Sequence, residues 1–365
     1  MPVLRKIVVQ NFRNIELQEL DFSAKLNCIT GGNGEGKTNL LDAIWYLSMT
    51  KSAFATSDRF NFRFGCSGFA LSGLYGMPSG PDTRVSIQVD GSGKKLRRDD
   101  KPYPRLADHI GLLPVVMISP TDVAMVSETG EERRKFCNAV LSQMSAEYLN
   151  AVQSYSRLLL QRNAMLKNGQ PDWALMDIID SQMEAFALPV YEMRASLSDD
   201  LSKRIQDFYA QISGGKESVG ISYRSDLESG RLCDIFRSRR EKDATLKFTS
   251  AGIQRDDLVF EMDGRPIRRC GSQGQQKSFL VALKFAQYSL MKERRGFPPI
   301  LLLDDLFDKL DMARVQNLLT MVAGNDFGQI FLSDCNKVRL NTIVDGITSE
   351  RTYYEAKGGA FTRNE

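Results

Sequence analysis

The chain has 365 residues, 42% of them hydrophobic and 25% charged, with a formal net charge of +3. That composition suits a folded protein large enough for two or more lobes. It argues against a membrane protein, because the longest apolar runs, such as residues 298–303, are far too short to cross a bilayer. The cysteines (Cys28, Cys66, Cys137, Cys233, Cys270 and Cys335) are scattered and form no Cys-x-x-Cys pair. Neither a disulfide framework nor a zinc site is expected, and a cytoplasmic location fits best. The first residues alternate like a strand and lack the apolar core of a signal peptide. One histidine, His109, leaves little room for imidazole chemistry and reads as structural.

In chain order, residues 3–10 and 15–22 read as strands flanking Asn11-Phe12-Arg13-Asn14. A short buried strand at 25–30 leads into Gly31-Gly32-Asn33-Gly34-Glu35-Gly36-Lys37-Thr38, which fits G-x-x-x-x-G-K-[ST]. Leu40, Leu41, Ile44, Trp45 and Leu47 then recur at helical spacing. A strand turning through glycines into a helix aims several N–H groups at one point, at the positive end of the helix dipole. Lys37 is placed to reach phosphates, and the Thr38 hydroxyl to take one position on Mg²⁺. A chance glycine-rich turn before a lysine is the plainer alternative; the strand, loop and helix in the required order argue against it. The Phe- and Arg-rich residues 51–65 are expected to cover that helix.

A β-rich stretch follows, with strands at 68–75 and 83–89, a hairpin turn at Asp90-Gly91, and a buried strand at 113–118. From Glu131 to Gly169 and from Trp173 to Ile212 the pattern is helical, with Leu149, Val152, Tyr155, Leu158, Leu159 and Leu166 on one stripe. Gly169-Gln-Pro171 breaks the first helix, so an antiparallel helical arm is expected, its apolar stripes simply packing together. Residues 219–262 read as strand-like, and a helix follows Gly271. A buried strand at 300–303, a helix across 312–323 and a core strand at 329–332 complete the pattern. The expected division is a split core of residues 1–120 plus 250–365, with a mainly helical lobe at 121–249 inserted.

Two further motifs carry chemistry. The apolar strand before Asp304-Asp305 sets two carboxylates at the carboxyl edge of a parallel sheet, where one can hold Mg²⁺ and the next can polarise water. Ser272-Gln273-Gly274-Gln275 opens a helix and offers a hydroxyl and free N–H groups to an anion, although an ordinary helix cap uses the same residues. Four basic clusters also stand out: Lys94-Lys95-Leu-Arg97-Arg98, Arg133-Arg134-Lys135, Arg237-Ser-Arg239-Arg240 and Arg265-Pro-Ile-Arg268-Arg269. Such runs are ordinarily solvated surface, but four beside a nucleotide loop point to a polyanion.

The order of phosphate loop, helical insertion, S-x-G-Q helix, acidic strand and Leu310-Asp311 is that of ABC-type ATPases. More closely, the chain resembles the RecF family of DNA-gap repair ATPases, relatives of the SMC heads, over nearly its full length. The resemblance rests on Asn11-Phe-Arg-Asn14, the phosphate loop with Asn39-Leu-Leu-Asp-Ala-Ile44, Ser119-Pro-Thr-Asp122, Arg133-Arg134-Lys-Phe136 and Tyr155-x-x-Leu158. It continues through Gln161-Arg-Asn163, Arg255-Asp-Asp-Leu258, Ser272-Gln-Gly-Gln-Gln-Lys277 and Leu302-Leu-Asp-Asp305. Two places depart from it: Ile253-Gln254 stands for Pro-His, and Asp308-Lys309 for Ser-Glu.

The resemblance implies an α/β fold, an ABC-type, SMC-head-like P-loop ATPase core with a β-rich N-terminal part and an inserted helical lobe. It implies ATP and Mg²⁺ as cofactors, with Gly31, Gly32, Asn33, Gly34, Glu35, Gly36, Lys37 and Thr38 around the nucleotide and Asp304 on the metal with Thr38. Asp305 would orient water, Arg13 would approach the phosphates, and Ser272 and Gln275 would act across an ATP-dependent homodimer. The implied partners are gapped, single- and double-stranded DNA, with RecO and RecR in loading RecA during repair and the SOS response. The first choice for DNA contact is Arg133, Arg134 and Lys135. Competing readings are a P-loop metabolite kinase, which has no use for Ser272–Gln275, and an ABC-type ATPase that does not act on DNA.

Overall fold

The computed structural model describes residues 1–169, 171–306, 312–323, 327–335 and 350–364. The chain divides into two compact units. The first holds residues 1–122, 211–213 and 280–365, and the second holds 123–210 and 214–279.

The first unit opens with the hairpin β1 (Val3–Phe12) and β2 (Ile15–Asp21), then β3 (Leu26–Thr30) and helix α1 (Lys37–Met49). Strands β4 (Phe69–Gly76), β5 (Thr83–Asp90), β6 (Gly93–Arg98) and β7 (Lys101–Pro102) follow, then β8 (Val115–Ile118). In β5 the inward residues are Thr83, Val85, Ile87 and Val89, the two-residue period of a strand with one buried face. These strands make an antiparallel sheet ordered β2-β1-β4-β5-β6-β7.

The second unit begins with α2 (Ala124–Ser127), α3 (Gly130–Met144), α4 (Ala146–Lys167) and α5 (Trp173–Ser213). It continues through β9 (Val219–Arg224), α6 (Leu232–Ser238), α7 (Arg240–Leu246), β10 (Asp257–Met262), β11 (Arg265–Pro266) and α8 (Ile267–Cys270). Helix α9 (Gln273–Arg295) starts in this unit and continues into the first. There the chain adds β12 (Ile300–Asp304), α10 (Met312–Ala323), β13 (Ile330–Asp334), β14 (Arg351–Lys357) and β15 (Ala360–Asn364).

The second sheet of the first unit is ordered β15-β14-β3-β13-β12-β8, parallel except for the β14–β15 pair. Every residue of β3, β8, β12 and β13 is buried, which is why these strands read as unbroken apolar runs. The order matters for function, because β13 lies between the loop strand β3 and the acidic strand β12.

In the second unit, α4 and α5 run antiparallel, since Tyr148 bonds Arg194 while Arg162 bonds Asp180. The buried stripe of α4 is Tyr148, Ala151, Tyr155, Leu158, Arg162 and Leu166. Arg162 is fully buried. Its Nε meets Asp180 at 2.8 Å, its Nη1 meets Asp243 at 2.8 Å and Thr249 at 2.9 Å, and its Cζ lies 4.2 Å from the Phe236 ring centroid. Asn163 accepts from both the N–H and the hydroxyl of Thr249. The Gln161-Arg-Asn163 stretch therefore fastens α5, α6, α7 and residue 249 to α4.

Several sequence expectations change here. The helix expected from 131 to 169 is two helices, because Ser145 is extended (φ −140°) and its hydroxyl caps α4 by accepting from the Tyr148 N–H. The strand-like region 219–262 contains α6 and α7, whose short amphipathic turns close over α4 and α5. Strands β14 and β15 were not anticipated. Residues 250–279, assigned on sequence to the nucleotide core, group with the second unit: β10 pairs with β9, and Asp257 is clamped by Arg133 of α3. The Asp308-Lys309 departure and Leu310-Asp311 lie outside the described residues.

Candidate nucleotide site

The phosphate loop joins β3 to α1. Gly31 (φ 151°) passes so close to β14 that a Cβ there would lie 2.5 Å from the Ala356 carbonyl oxygen. Gly36 (φ 108°) is left-handed, and a Cβ on it would lie 2.9 Å from Asn14 Oδ1. No side chain caps α1 at Gly36, so the N–H groups of its first turn stay available to an anion. Gly32, Asn33 and Gly34 form the exposed crown of the loop, and Glu35 is half-buried. Lys37, only 4% exposed, curls back so that Nζ donates to the Gly31 and Gly32 carbonyls at 2.7 and 2.9 Å.

The acidic edge reaches the loop through side chains. Thr38 Oγ1 donates to Asp304 Oδ2 at 2.8 Å, and Ser333 Oγ, from β13, donates to Oδ1 at 2.6 Å. Burial raises the Asp304 pKa, while these two hydroxyls and the Lys37 charge pull it back down. Asp305 sits in the left-handed region (φ 41°), and its N–H points to Ser333 Oγ at 3.2 Å. Asp305, Asp334 and Cys335 bring their ligand atoms within 4.8 Å of one another. The hydroxyl and carboxylate oxygens of Thr38 and Asp304 match the hard donors that Mg²⁺ prefers; the Cys335 sulfur does not. The residues present thus fit a nucleotide phosphate chain and its metal.

The guanidinium of Arg13, expected near the phosphates, serves Asp42 (2.7 Å), Ser52 (3.0 Å), Asn39 (3.0 Å) and Asn61 (3.2 Å). Asp42 is fully buried in α1 and also accepts from Ser52 and the Ala53 N–H, so an uncompensated carboxylate would remain without Arg13. The neighbouring Asn14 takes Asn39 Nδ2 at 2.7 Å and donates to the Gly34 carbonyl at 3.4 Å. Asn11-Phe-Arg-Asn14 is thus a brace for α1 and the loop. On the other side, the β14–β15 turn donates Gly359 N–H to the Glu35 carbonyl at 2.9 Å and Gly358 N–H to the Glu35 carboxylate.

In the second unit, Ser272 and Gln275 form a reciprocal cap on α9. Ser272 N–H donates to Gln275 Oε1 at 2.8 Å and Gln275 N–H to Ser272 Oγ at 3.3 Å. Gln275 Nε2 also reaches Glu217 at 2.8 Å, and Ser272 stays exposed.

A family model described as "AAA domain" matches residues 6–155. The DNA replication and repair protein RecF of Phocaeicola vulgatus is 40% identical over all of this chain and 99% of its own length. RecF of Porphyromonas gingivalis is 40% identical over 98% of this chain and 99% of its own. The chain belongs to the RecF family. A solved recombination mediator protein RecF bound to ATP, described in the RecFOR pathway, superposes with a TM-score of 0.90 at 25% identity, covering 100% of this chain and 98% of that one. An SMC head domain from Pyrococcus furiosus, at 14% identity and TM-score 0.58 over 100% and 96%, shares the fold. The fold is thus that of the RecF and SMC-head ABC-type ATPases, and the protein is a DNA replication and repair ATPase by family. No helix among the described residues is long and apolar enough to cross a membrane.

Two RecF-family features take on a physical meaning here. The departure at Ile253-Gln254 is absorbed locally: Ile253 is buried, and Gln254 Oε1 accepts from the Tyr155 hydroxyl at 2.5 Å. The three basic residues first chosen for DNA contact are engaged within the second unit. Arg133, 13% exposed, grips Asp257 with two bonds of 2.7 and 3.0 Å and donates to the Met125 carbonyl. Arg134 donates to the Asp256 carbonyl, and Lys135 pairs with Glu131 and Glu132. Sequence reasoning missed Ser333 because a lone serine in a strand carries no signal until strand order sets it beside Asp304.

Proposed function

We propose that the chain is an ATP-dependent DNA clamp of recombinational repair. In this reading it binds ATP with Mg²⁺, forms a homodimer, and closes on gapped or single-strand/double-strand junction DNA. With RecO and RecR it assists RecA loading, in the context of the SOS response. The observation that carries the reading is the chain of contacts from the phosphate loop through Thr38 to Asp304 and Ser333. Binding ATP would move Lys37 Nζ from the Gly31 and Gly32 carbonyls onto phosphate oxygens, a charge-assisted exchange that favours the bound state. The loop N–H groups from Asn33 to Thr38 orient the phosphates. Thr38 and Asp304 would hold Mg²⁺, which when bound would supply charge neutralisation on the phosphates. Asp305 orients the attacking water, its carboxylate reaching less far than the Glu common in ABC ATPases, so turnover is slow; in the clamp reading DNA stimulates it. Ser272 and Gln275 of a second copy complete the nucleotide site.

Sedimentation of the wild type and Lys37→Met with ATP and gapped DNA tests this. The wild type is expected to dimerise and bind DNA. Lys37→Met should bind ATP about ten- to a hundredfold more weakly, the loss of one charged hydrogen bond of about 1.5–3 kcal/mol. Ser272→Arg should keep ATP and lose the dimer. A wild type that stays monomeric and DNA-free under ATP refutes the clamp.

A further inference from the structure

Of the four basic clusters in the sequence, the structure commits two to partners. Arg237 pairs with Asp177 and Asp234, Arg239 with Asp226, and Arg240 with Asp177 and the Trp173 ring. Arg133, Arg134 and Lys135 are taken up as described above. In a third, Lys94 is spent on Asp58 and the Thr50 carbonyl and Arg98 lies beside Asp99, while Lys95 and Arg97 stay exposed with no ion pair among the described residues and line a cleft with Gln10 and Gln88. The cluster at 265–269 goes further, because a third free arginine from another strand joins it. Arg268 and Arg269 are exposed and make no ion pair or side-chain hydrogen bond among the described residues, and the same holds for Arg224 on β9.

These three arginines face one feature. A cleft of 370 Å³ in the second unit is lined by Arg224, Arg268, Arg269, Arg133, Asp257 and Val259, among others. Register explains the grouping: Arg224 lies opposite Asp257 across the β9–β10 pair, and β11 with α8 carries 265–270 along the other edge of β10. The one carboxylate lining the cleft, Asp257, has both oxygens bound by Arg133. The cleft therefore keeps three uncompensated guanidinium groups around an apolar strip. Guanidinium forks match phosphate oxygens, and a surplus of this kind without acidic neighbours is the electrostatic footprint of a polyanion.

We propose that this arginine cleft holds the phosphate backbone of DNA, with Arg224, Arg268 and Arg269 as the contacting residues and Arg133 as the positioning residue that neutralises Asp257. The proposal rests on the DNA-clamp reading and names the surface it uses, replacing the choice of Arg133–Lys135. The same phosphate chemistry could come from the triphosphate of a nucleotide on a second copy, since Ser272 follows within three residues, and the test separates the two.

The test is a salt series on a fluorescent gapped duplex, with ATP and Mg²⁺, comparing the full-length wild type with Arg224→Gln/Arg268→Gln/Arg269→Gln. Each phosphate contact contributes about 0.9 to the slope of log K against log salt, so the variant's slope should be shallower by about 3. Its affinity should fall about tenfold or more, with melting temperature and ATP affinity unchanged because all three side chains are exposed. The matching triple Lys variant should keep the slope, since it keeps the charges. An unchanged slope and affinity in the Gln variant overturn the cleft while leaving the clamp standing, and would assign the surface to something other than DNA. Lost ATP-dependent dimerisation with an unchanged salt slope in ATP-free DNA binding also overturns it, assigning the arginines to nucleotide. A wild type that binds no DNA overturns both.

Discussion

The loop edge of the first unit and the interior of the second handle buried charge in opposite ways. At the loop edge of the first unit, charges rest on provisional partners: Lys37 on two glycine carbonyls, Asp304 on two hydroxyls. In the proposed function, a phosphate or a metal would offer each of them more than it gives up. In the interior of the second unit, Arg162 is held by Asp180 and Asp243, and Arg194 by Asp256, all of them buried. Nothing there can be exchanged without leaving a bare charge in a low-dielectric medium. Contacts of the first kind, to neutral partners, suit a site, and ion pairs of the second kind make a scaffold.

Breaking one member of each kind tests that contrast. Arg162→Met should destabilise the second unit by about 3–5 kcal/mol, since two buried carboxylates lose their partner. Denaturant melting reads this, and adding Asp180→Asn and Asp243→Asn should recover part of the loss. Lys37→Met, by comparison, should shift melting by less than about 1 kcal/mol while weakening ATP binding about ten- to a hundredfold. A large stability loss in Lys37→Met would erase the distinction.

Ser333→Ala sharpens the picture of the loop edge. It removes a hydrogen bond worth about 1 kcal/mol and one of the two hydroxyls that hold the Asp304 pKa down. Because burial already raises that pKa, the carboxyl would rise further, and the acid limb of Mg²⁺-dependent ATP binding should move to higher pH. Binding titrated against pH in both proteins checks it.

The smallest expected effect concerns His109. The Leu47 carbonyl can only accept, so Nε2 carries the proton at 2.7 Å and Nδ1 accepts from the Tyr103 hydroxyl at 3.1 Å. Burial lowers the pKa of this imidazole, with the Arg98 charge acting the same way and the Leu47 bond opposing. The unfolded chain therefore takes up the proton first. The stability from neutral His109 is present above the unfolded value of about 6.5 and is lost as pH falls through the folded value. His109→Gln should flatten melting between pH 7 and 5 relative to the wild type, the difference between the two proteins isolating the imidazole from the buried carboxyls.

How far the sequence could be read depends on the range of the interactions involved. The phosphate loop, the S-x-G-Q cap and the acidic strand are short segments whose geometry follows from glycine, capping and apolar runs within a few residues, and each stands where it was expected. The break at Ser145 was also local, a helix cap hidden inside a continuous apolar period. The bracing contact of Arg13 was not legible because its partner Asp42 lies 29 residues away. The basic clusters looked alike on paper, and only folding showed which had found carboxylates.

By itself, the sequence determined that this is a strand–loop–helix phosphate binder with an acidic strand and a helical insertion, because those features are written in periodicity and turn chemistry. Tertiary structure decided the rest. Parallel pairing inserted β13 between β3 and β12 and so delivered Ser333 to Asp304. Long-range ion pairing decided which arginines became scaffold and which stayed exposed without an ion pair among the described residues. The reason is physical: hydrogen-bond partners and charge compensation are settled by proximity in space, and sequence spacing does not carry that information across more than one element.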